Sequence, residues 1–303
     1  MILITIASVL WGTIGLAVGQ IYRIAPDAHP LVIGLYRLLI AGPLLLILSR
    51  AMVGPAFLSV ARPRDRVIMV LIGVVFAAYQ ILYFSAISRI GVAPAVLINI
   101  CSSPIFVALL AAVFLHERLT WVTLLVLCGA IAGTALLVGS ASVRDGSAPT
   151  LAIGGALALG AGFSYAVVAV CGRGIAGRYH PLQPIAVAFT IGAILLLPAA
   201  MMQNASMRMS LAVWLLIIYV AVVPTTLSYA LYFQGLKSTS ATVAAILSLL
   251  EPLGSTLMAV AFLDERLSAR AMLGGAILLA SVAILYIAGS RKIAETEVAT
   301  PVE

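Results

Sequence analysis

Charge is what this sequence has least of. Asp, Glu, Lys and Arg make up 9% of its 303 residues, against about a quarter in an ordinary soluble domain. Histidine and cysteine are scarcer still, at three each. His29, His116 and His180 fall at the ends of apolar stretches, so none is placed to serve a buried nucleophile or a metal. Cys101, Cys128 and Cys171 lie inside or at the end of such stretches without metal-ligand spacing and read as packing residues, not disulfides. No Asp sits within an apolar stretch, which removes paired-aspartate chemistry in the membrane. No GxxxxGK[ST] loop is present, so ATP-driven pumping by this chain alone is not expected. The composition thus points away from an enzyme, and no cofactor or metal is expected.

What the sequence has in quantity is hydrocarbon: 63% of residues are hydrophobic and the mean hydropathy is +1.20. A helix needs about 20 mostly apolar residues to cross a bilayer. Ten stretches qualify: Met1–Ile21, Pro30–Leu48, Val67–Ile87, Val92–Leu115, Trp121–Gly139, Leu151–Cys171, Pro184–Met202, Leu211–Leu236, Ala241–Leu263 and Ala269–Gly289. They are too long and too evenly apolar for the alternating strands of an outer-membrane barrel. The expected fold is an all-α integral membrane protein with ten transmembrane helices. The first stretch lacks a basic leader and a cleavage site, and reads as a retained helix.

Lys and Arg between the stretches set the expected orientation. With the N-terminus in the cytoplasm, Arg50, Arg62, Arg64, Arg66, Arg118, Arg173, Arg178, Lys237, Arg291 and Lys292 fall inside, ten in all. Arg23, Arg89, Arg144, Arg208, Arg266 and Arg270 fall outside, which makes six. The bias, strongest in RPRDR at Arg62–Arg66, favours both termini in the cytoplasm. The net charge of +7 is accounted for by these loops, with no nucleic-acid partner expected.

The chain also repeats itself. SPIFVALLAAVFLHERL, Ser103–Leu119, lies over EPLGSTLMAVAFLDERL, Glu251–Leu267, without a gap. Apolar matches arise by chance, but a matching Pro and a matching Glu-Arg at one offset do not readily do so. HPL at His29–Leu31 recurs as HPL at His180–Leu182, each opening the second helix of its half. The expected organisation is a first five-helix repeat over 1–139, a linker over 140–150, a second repeat over 151–289 and a cytoplasmic tail over 290–303. Five crossings per half force the second half to enter from the opposite face, the inverted-repeat plan of secondary transporters with a site near the midplane.

These features resemble the drug/metabolite transporter superfamily, EamA type. The resemblance rests on Trp11-Gly12 in the first helix, Arg37 in the second, and Pro-centred fourth and ninth helices ending in HER and DER. It covers essentially the whole chain, although Trp11-Gly12 has no clear twin in the second half, where the comparable stretch is GFSYA, Gly162–Ala166. It implies a bacterial inner-membrane exporter of small metabolites, with the amino-acid exporters, including those for aromatic amino acids, the most similar branch. The expected partners are that small-molecule substrate and membrane lipid. Drug export and a channel-like pore remain alternatives.

Glu251 is the one acid of ten near the middle of a helix. A carboxylate there must face water, find a partner or take up a proton. Coupling to protons, contact with a substrate amine and a structural bond to a kinked backbone are all open to it. Arg37, the other charge within a stretch, can attract an anionic group or snorkel and bond carbonyls, and the structural role is favoured. Trp11, at mid-helix with an indole N–H needing a partner, is a candidate cavity wall. Tyr79 and Tyr83 share a face of the third helix, and Tyr229 and Tyr232 a face of the eighth; Asn99, Ser102, Ser103 and Ser248 add short polar groups at similar depth. The expected substrate-binding set is therefore Trp11, Tyr79, Tyr83, Asn99, Ser103, Tyr229, Tyr232, Ser248 and Glu251. Pro104 and Pro252, at matching places in the repeat, are the expected gates. Glu117-Arg118 and Glu265-Arg266 read as ion pairs or caps holding the fourth and fifth helices of each half in register.

Overall fold

The structure is a computed structural model that describes every residue except 61, 139–146, 203–208, 264–267 and 300–303, and leaves aside the side chains of 93, 259, 263 and 289–299. Most of the expected linker, with Arg144, lies outside the described residues, as do Arg208, Glu265 and Arg266; so do the side chains of Arg291 and Lys292.

Ten helices long and apolar enough to cross a membrane follow one another. They are α1 (Ile2–Ile24), α2 (Pro30–Val53), α3 (Pro63–Ile90), α4 (Val92–Phe114), α5 (Trp121–Val138), α6 (Ala148–Ile175) and α7 (Leu182–Met201). Next comes α8, which spans Leu211–Gly235 with a π-helical segment, Val222–Leu227, in its middle. The ninth, α9, is Ala241–Ser248 followed by Leu250–Leu263, and α10 is Ala269–Ala299. Among the described residues no strand forms, as a bilayer requires of a chain that satisfies its backbone polar groups segment by segment.

Local chemistry sets the helix ends. Pro30 and Pro63 occupy first-turn positions, where the missing N–H costs nothing. The hydroxyls of Ser210 and Ser240 accept from Val213 N–H and Val243 N–H, satisfying donors that a helix start leaves open. Gly91, at φ 89°, ends α3 and opens α4 in one residue, a reversal that a side chain would resist.

The packing is the same when the halves are exchanged. α1 lies against α8 and α9, and α6 lies against α3 and α4; α2 pairs with α7, and α5 with α10. This is the ring that two inverted five-helix repeats produce. Lipid is as apolar as leucine, so close approach, not water exclusion, holds such helices together. Gly133 of α5 and Gly274 of α10 show how close. A Cβ on Gly133 would stand 2.8 Å from the Gly274 carbonyl oxygen, and one on Gly274 would stand 2.6 Å from that of Gly133. The outward faces carry the large apolar side chains, among them Leu109, Leu125, Ile194 and Leu279.

Candidate functional site

The site begins at a break in α9. Pro252 has no N–H to give the Ser248 carbonyl four residues back, and the helix interrupts at Leu249, whose N–H turns to Ile246 at 3.1 Å. Glu251 leaves the chain at this break. The residue as a whole is half-buried although it lies midway along the helix. No hydrogen bond or ion pair joins it to any described residue. Arg37 and the hydroxyls of Tyr79, Tyr83, Tyr165 and Tyr229 lie within electrostatic reach of it.

Arg37 comes in from α2. It too is partly accessible and has no ion pair, and its Nε is buried without a partner. Opposite charges therefore stand within electrostatic reach of each other without forming an ion pair. A structural charge inside a bundle is normally paired with another group or with carbonyls; neither a carbonyl bond from Arg37 nor a bond from Glu251 to the kinked backbone is present among the described residues.

Aromatic rings form the wall. Trp11 of α1 lies 5.0 Å from Tyr229 and 5.2 Å from Tyr232, centroid to centroid. Tyr229 continues to Phe189 of α7 at 5.0 Å and Phe76 of α3 at 5.5 Å, both edge-on. Phe76 in turn lies 6.3 Å from Tyr79, which stacks on Tyr83 at 5.7 Å. These are ordinary distances for attractive ring pairs. Four helices, α1, α3, α7 and α8, thus contribute to one connected aromatic surface.

Short polar groups flank it. Asn99 Nδ2 donates to the Tyr79 hydroxyl at 3.3 Å, while Asn99 Oδ1 is buried without a partner. The Ser103 hydroxyl donates to the Asn99 carbonyl at 2.6 Å and is spent within its own helix. The Tyr165 hydroxyl lies 2.7 Å from Ser248 Oγ and 3.3 Å from the Tyr232 hydroxyl. Trp11 Nε1 is buried with no partner. Trp11 Nε1, Arg37 Nε and Asn99 Oδ1 are thus buried polar atoms left without a partner among the described residues, each of which calls for an explanation.

Glycines bring the helices to this closeness. A Cβ on Gly12 would stand 2.7 Å from Ser255 N and 2.8 Å from the Glu251 carbonyl oxygen, and Ser255 Oγ donates to the Gly12 carbonyl at 2.7 Å. Gly162 plays the matching part where α6 crosses α4, 3.1 Å from the Asn99 carbonyl oxygen by the same measure.

Of the expected set, Trp11, Tyr79, Tyr83, Tyr229, Tyr232, Asn99, Ser248 and Glu251 come together, with Ser103 at the edge. Pro252 sits at a break, and Pro104 sits inside an unbroken α4. Tyr165, Arg37, Phe76 and Phe189 belong to the cluster without having been selected from the sequence. Tyr165 had a signal, since it stands in the GFSYA stretch opposite Trp11-Gly12. A separate cavity of about 330 Å³ lies between α2 and α7, lined by residues such as Leu35, Leu39 and Met201. It shares no residue with the polar cluster and is not the site.

Glu117 does not hold α4 to α5 as expected. Its Oε1 accepts from Ala241 N–H at 2.6 Å, and its Oε2 accepts from Thr242 N–H at 3.1 Å and from the Thr242 hydroxyl at 2.8 Å. It caps the start of α9 in the other half.

A bundle with this inverted contact pattern, holding opposite charges unpaired among the described residues inside its helices, has the build of a membrane transporter. The chain belongs to the EamA-like transporter family, whose profile matches residues 1–139 and again 152–287. It is 32% identical to YwfM of Bacillus subtilis, an uncharacterized transporter, over 93% of this chain and 92% of that one. It is 26% identical to YicL of Salmonella typhimurium, an uncharacterized inner membrane transporter, over 96% of both. A solved crystal structure with 21% identity superimposes with a TM-score of 0.80 over 93% of this chain and 95% of its own, a likeness of fold. The protein is a multi-pass membrane transporter.

Proposed function

We propose that this transporter exports small amphipathic metabolites, amino acids first among them and aromatic ones included, from a bacterial cytoplasm across the inner membrane by alternating access. The reading takes both termini as cytoplasmic and the halves as 1–139 and 151–289, joined over 140–150. The observation that carries it is the pair Arg37 and Glu251, opposite in charge, unpaired among the described residues, and set among the rings of Trp11, Tyr79 and Tyr229. A zwitterion supplies each charge with its opposite, and the rings receive an apolar or aromatic side chain. A phosphate cargo would call for several converging basic groups, and the cluster has one. Glu251 contacts the substrate amine or exchanges a proton, and Pro252 breaks the gate helix α9, with Pro104 at the matching place in α4.

The test is uptake of labelled aromatic and aliphatic amino acids into proteoliposomes, with and without a pH gradient, for wild type and Glu251→Gln. Saturable wild-type transport that the variant loses supports the reading. Loss of the gradient response alone assigns Glu251 to proton coupling. Equal transport by both proteins removes Glu251 from the mechanism, and no amino-acid transport by wild type overturns the substrate class.

A further inference from the structure

Several polar contacts cross between the halves. One group gathers where α1 begins, a face that also holds the starts of α3, α7 and α9 and the ends of α4 and α6. Here Glu117 accepts three hydrogen bonds from the first turn of α9. Buried Asp65, at the start of α3, holds Arg178 at 3.1 Å and accepts from the Tyr179 hydroxyl at 2.9 Å. Gln183 Nε2 donates to the Phe57 carbonyl at 2.6 Å.

Glu117 is aimed by a costly turn. His116 has φ 54°, the one positive-φ residue other than glycine among the described residues. This left-handed step ends α4 and returns the Glu117 N–H to the Ala111 carbonyl at 3.1 Å. Left-handed backbone at a non-glycine residue persists when its surroundings hold it. What it achieves here is delivery of a carboxylate to the N-terminus of another helix, where free N–H groups and the helix dipole favour negative charge.

The capped segment is short and hinged. Ala241–Ser248 is separated from Leu250–Leu263 by the break at Leu249, so its far end carries Ser248 and adjoins Glu251. We propose that Glu117 is a latch between the halves: it pins Ala241–Ser248 against the end of α4, closes the mouth on the face where α1 begins, and must let go before the site opens there. Asp65 is a second tie on the same face. Release lets Ala241–Ser248 pivot at Leu249, so the opening of the mouth and the position of Glu251 change together. The latch goes beyond the reading of the cargo, and its test needs none.

In a background without Cys101, Cys128 and Cys171, a reporter Ser248→Cys is alkylated by a membrane-impermeant maleimide added from one face or the other. Glu117→Ala is expected to raise the alkylation rate from the face where α1 begins by about tenfold, the scale of a lost buried charge-assisted bond, without a similar rise from the other face. Glu117→Gln, which keeps one acceptor, is expected to fall between. An unchanged rate in a folded Glu117→Ala overturns the latch. Should that variant not fold, oxidative cross-linking of Glu117→Cys to Thr242→Cys decides. The latch requires the reporter to become shielded from that face and to recover on reduction. A reporter that stays reactive in the cross-linked protein overturns it.

Discussion

The two halves carry related helices and treat them differently. In the first half α3 runs unbroken from Pro63 to Ile90, and α4 holds Pro104 inside one continuous helix. In the second half α8 swells into a π-helical segment at Val222–Leu227, and α9 breaks at Leu249. The repeat sets Ser103 opposite Glu251 and Pro104 opposite Pro252, so equal prolines have unequal outcomes. Proline only removes a bond; neighbours decide whether the helix heals or parts. The difference places the irregular backbone and the acid together in the second half, against a first half that supplies Arg37 and continuous helices, while both halves supply rings. Irregular backbone in a membrane is tolerated where it lines a cavity, and π-bulges cluster at functional sites.

The sharpest way to break this comparison is to make the halves alike. Glu251→Ser copies Ser103 into the second half and is expected to lower proteoliposome transport by about a hundredfold, the effect of leaving a bound charge without its partner. Retention of more than a tenth of wild-type transport would mean that the asymmetry of charge is incidental. Alanine at the two crossing glycines comes next. On Gly12 the new methyl meets Ser255 N, the Glu251 carbonyl and Gly254 C within 2.9 Å, all backbone. On Gly162 the tightest neighbour is the Ser102 hydroxyl, which can rotate away. Overpacking costs about 1–3 kcal/mol, so Gly12→Ala should sit at the upper end and Gly162→Ala at the lower, read as melting in detergent. Equal losses would show that the crossings are mechanically equivalent.

Much of the frame is legible in the sequence, because hydropathy runs and a gapless repeat with its Pro and Glu-Arg are local signals. Glu251 is legible for the same reason, as one acid in a long apolar run. For Arg37 the sequence favours a structural role, and whether it finds a partner depends on α3, α8 and α9, which no local pattern reveals. Tyr165 was visible in GFSYA, but which face of α6 meets Ser248 of α9 is a tertiary fact. Phe76 and Phe189 look like any core phenylalanines until Tyr229 is placed between them. Glu117 was given the neighbour nearest in sequence, whereas it reaches a helix 124 residues away.

The two prolines of the repeat offer a gentler probe. Pro252→Ala returns an N–H to the Ser248 carbonyl and closes the break at Leu249. Pro costs about 3 kcal/mol inside a helix, so the variant should melt higher while transport falls about tenfold, because the pivot is lost. Pro104→Ala acts on a helix already continuous and should leave transport within about twofold, the span of an ordinary substitution away from the site. Falls of equal size would return the two prolines to equal gates.

The smallest effect concerns how α8 tolerates its own proline. Pro224 cannot donate to the Val220 carbonyl, but the Thr225 hydroxyl reaches that oxygen at 2.7 Å. Thr226 does the same for Ala221 at 2.9 Å, and Ser228 for Val223 at 3.2 Å. Three successive side-chain bonds thus sustain the wide turn that sets the register of Tyr229 and Tyr232 against Trp11. Thr225→Val keeps the shape and removes one bond, at about 1 kcal/mol, and should lower melting slightly while weakening substrate affinity more than maximal rate. The unbroken α3 has no hydroxyl series of this kind around Phe76, so replacing Val75 by Thr there should change neither quantity. If Thr225→Val also leaves both unchanged, the π-segment is held by tertiary packing, and the hydroxyls only follow it.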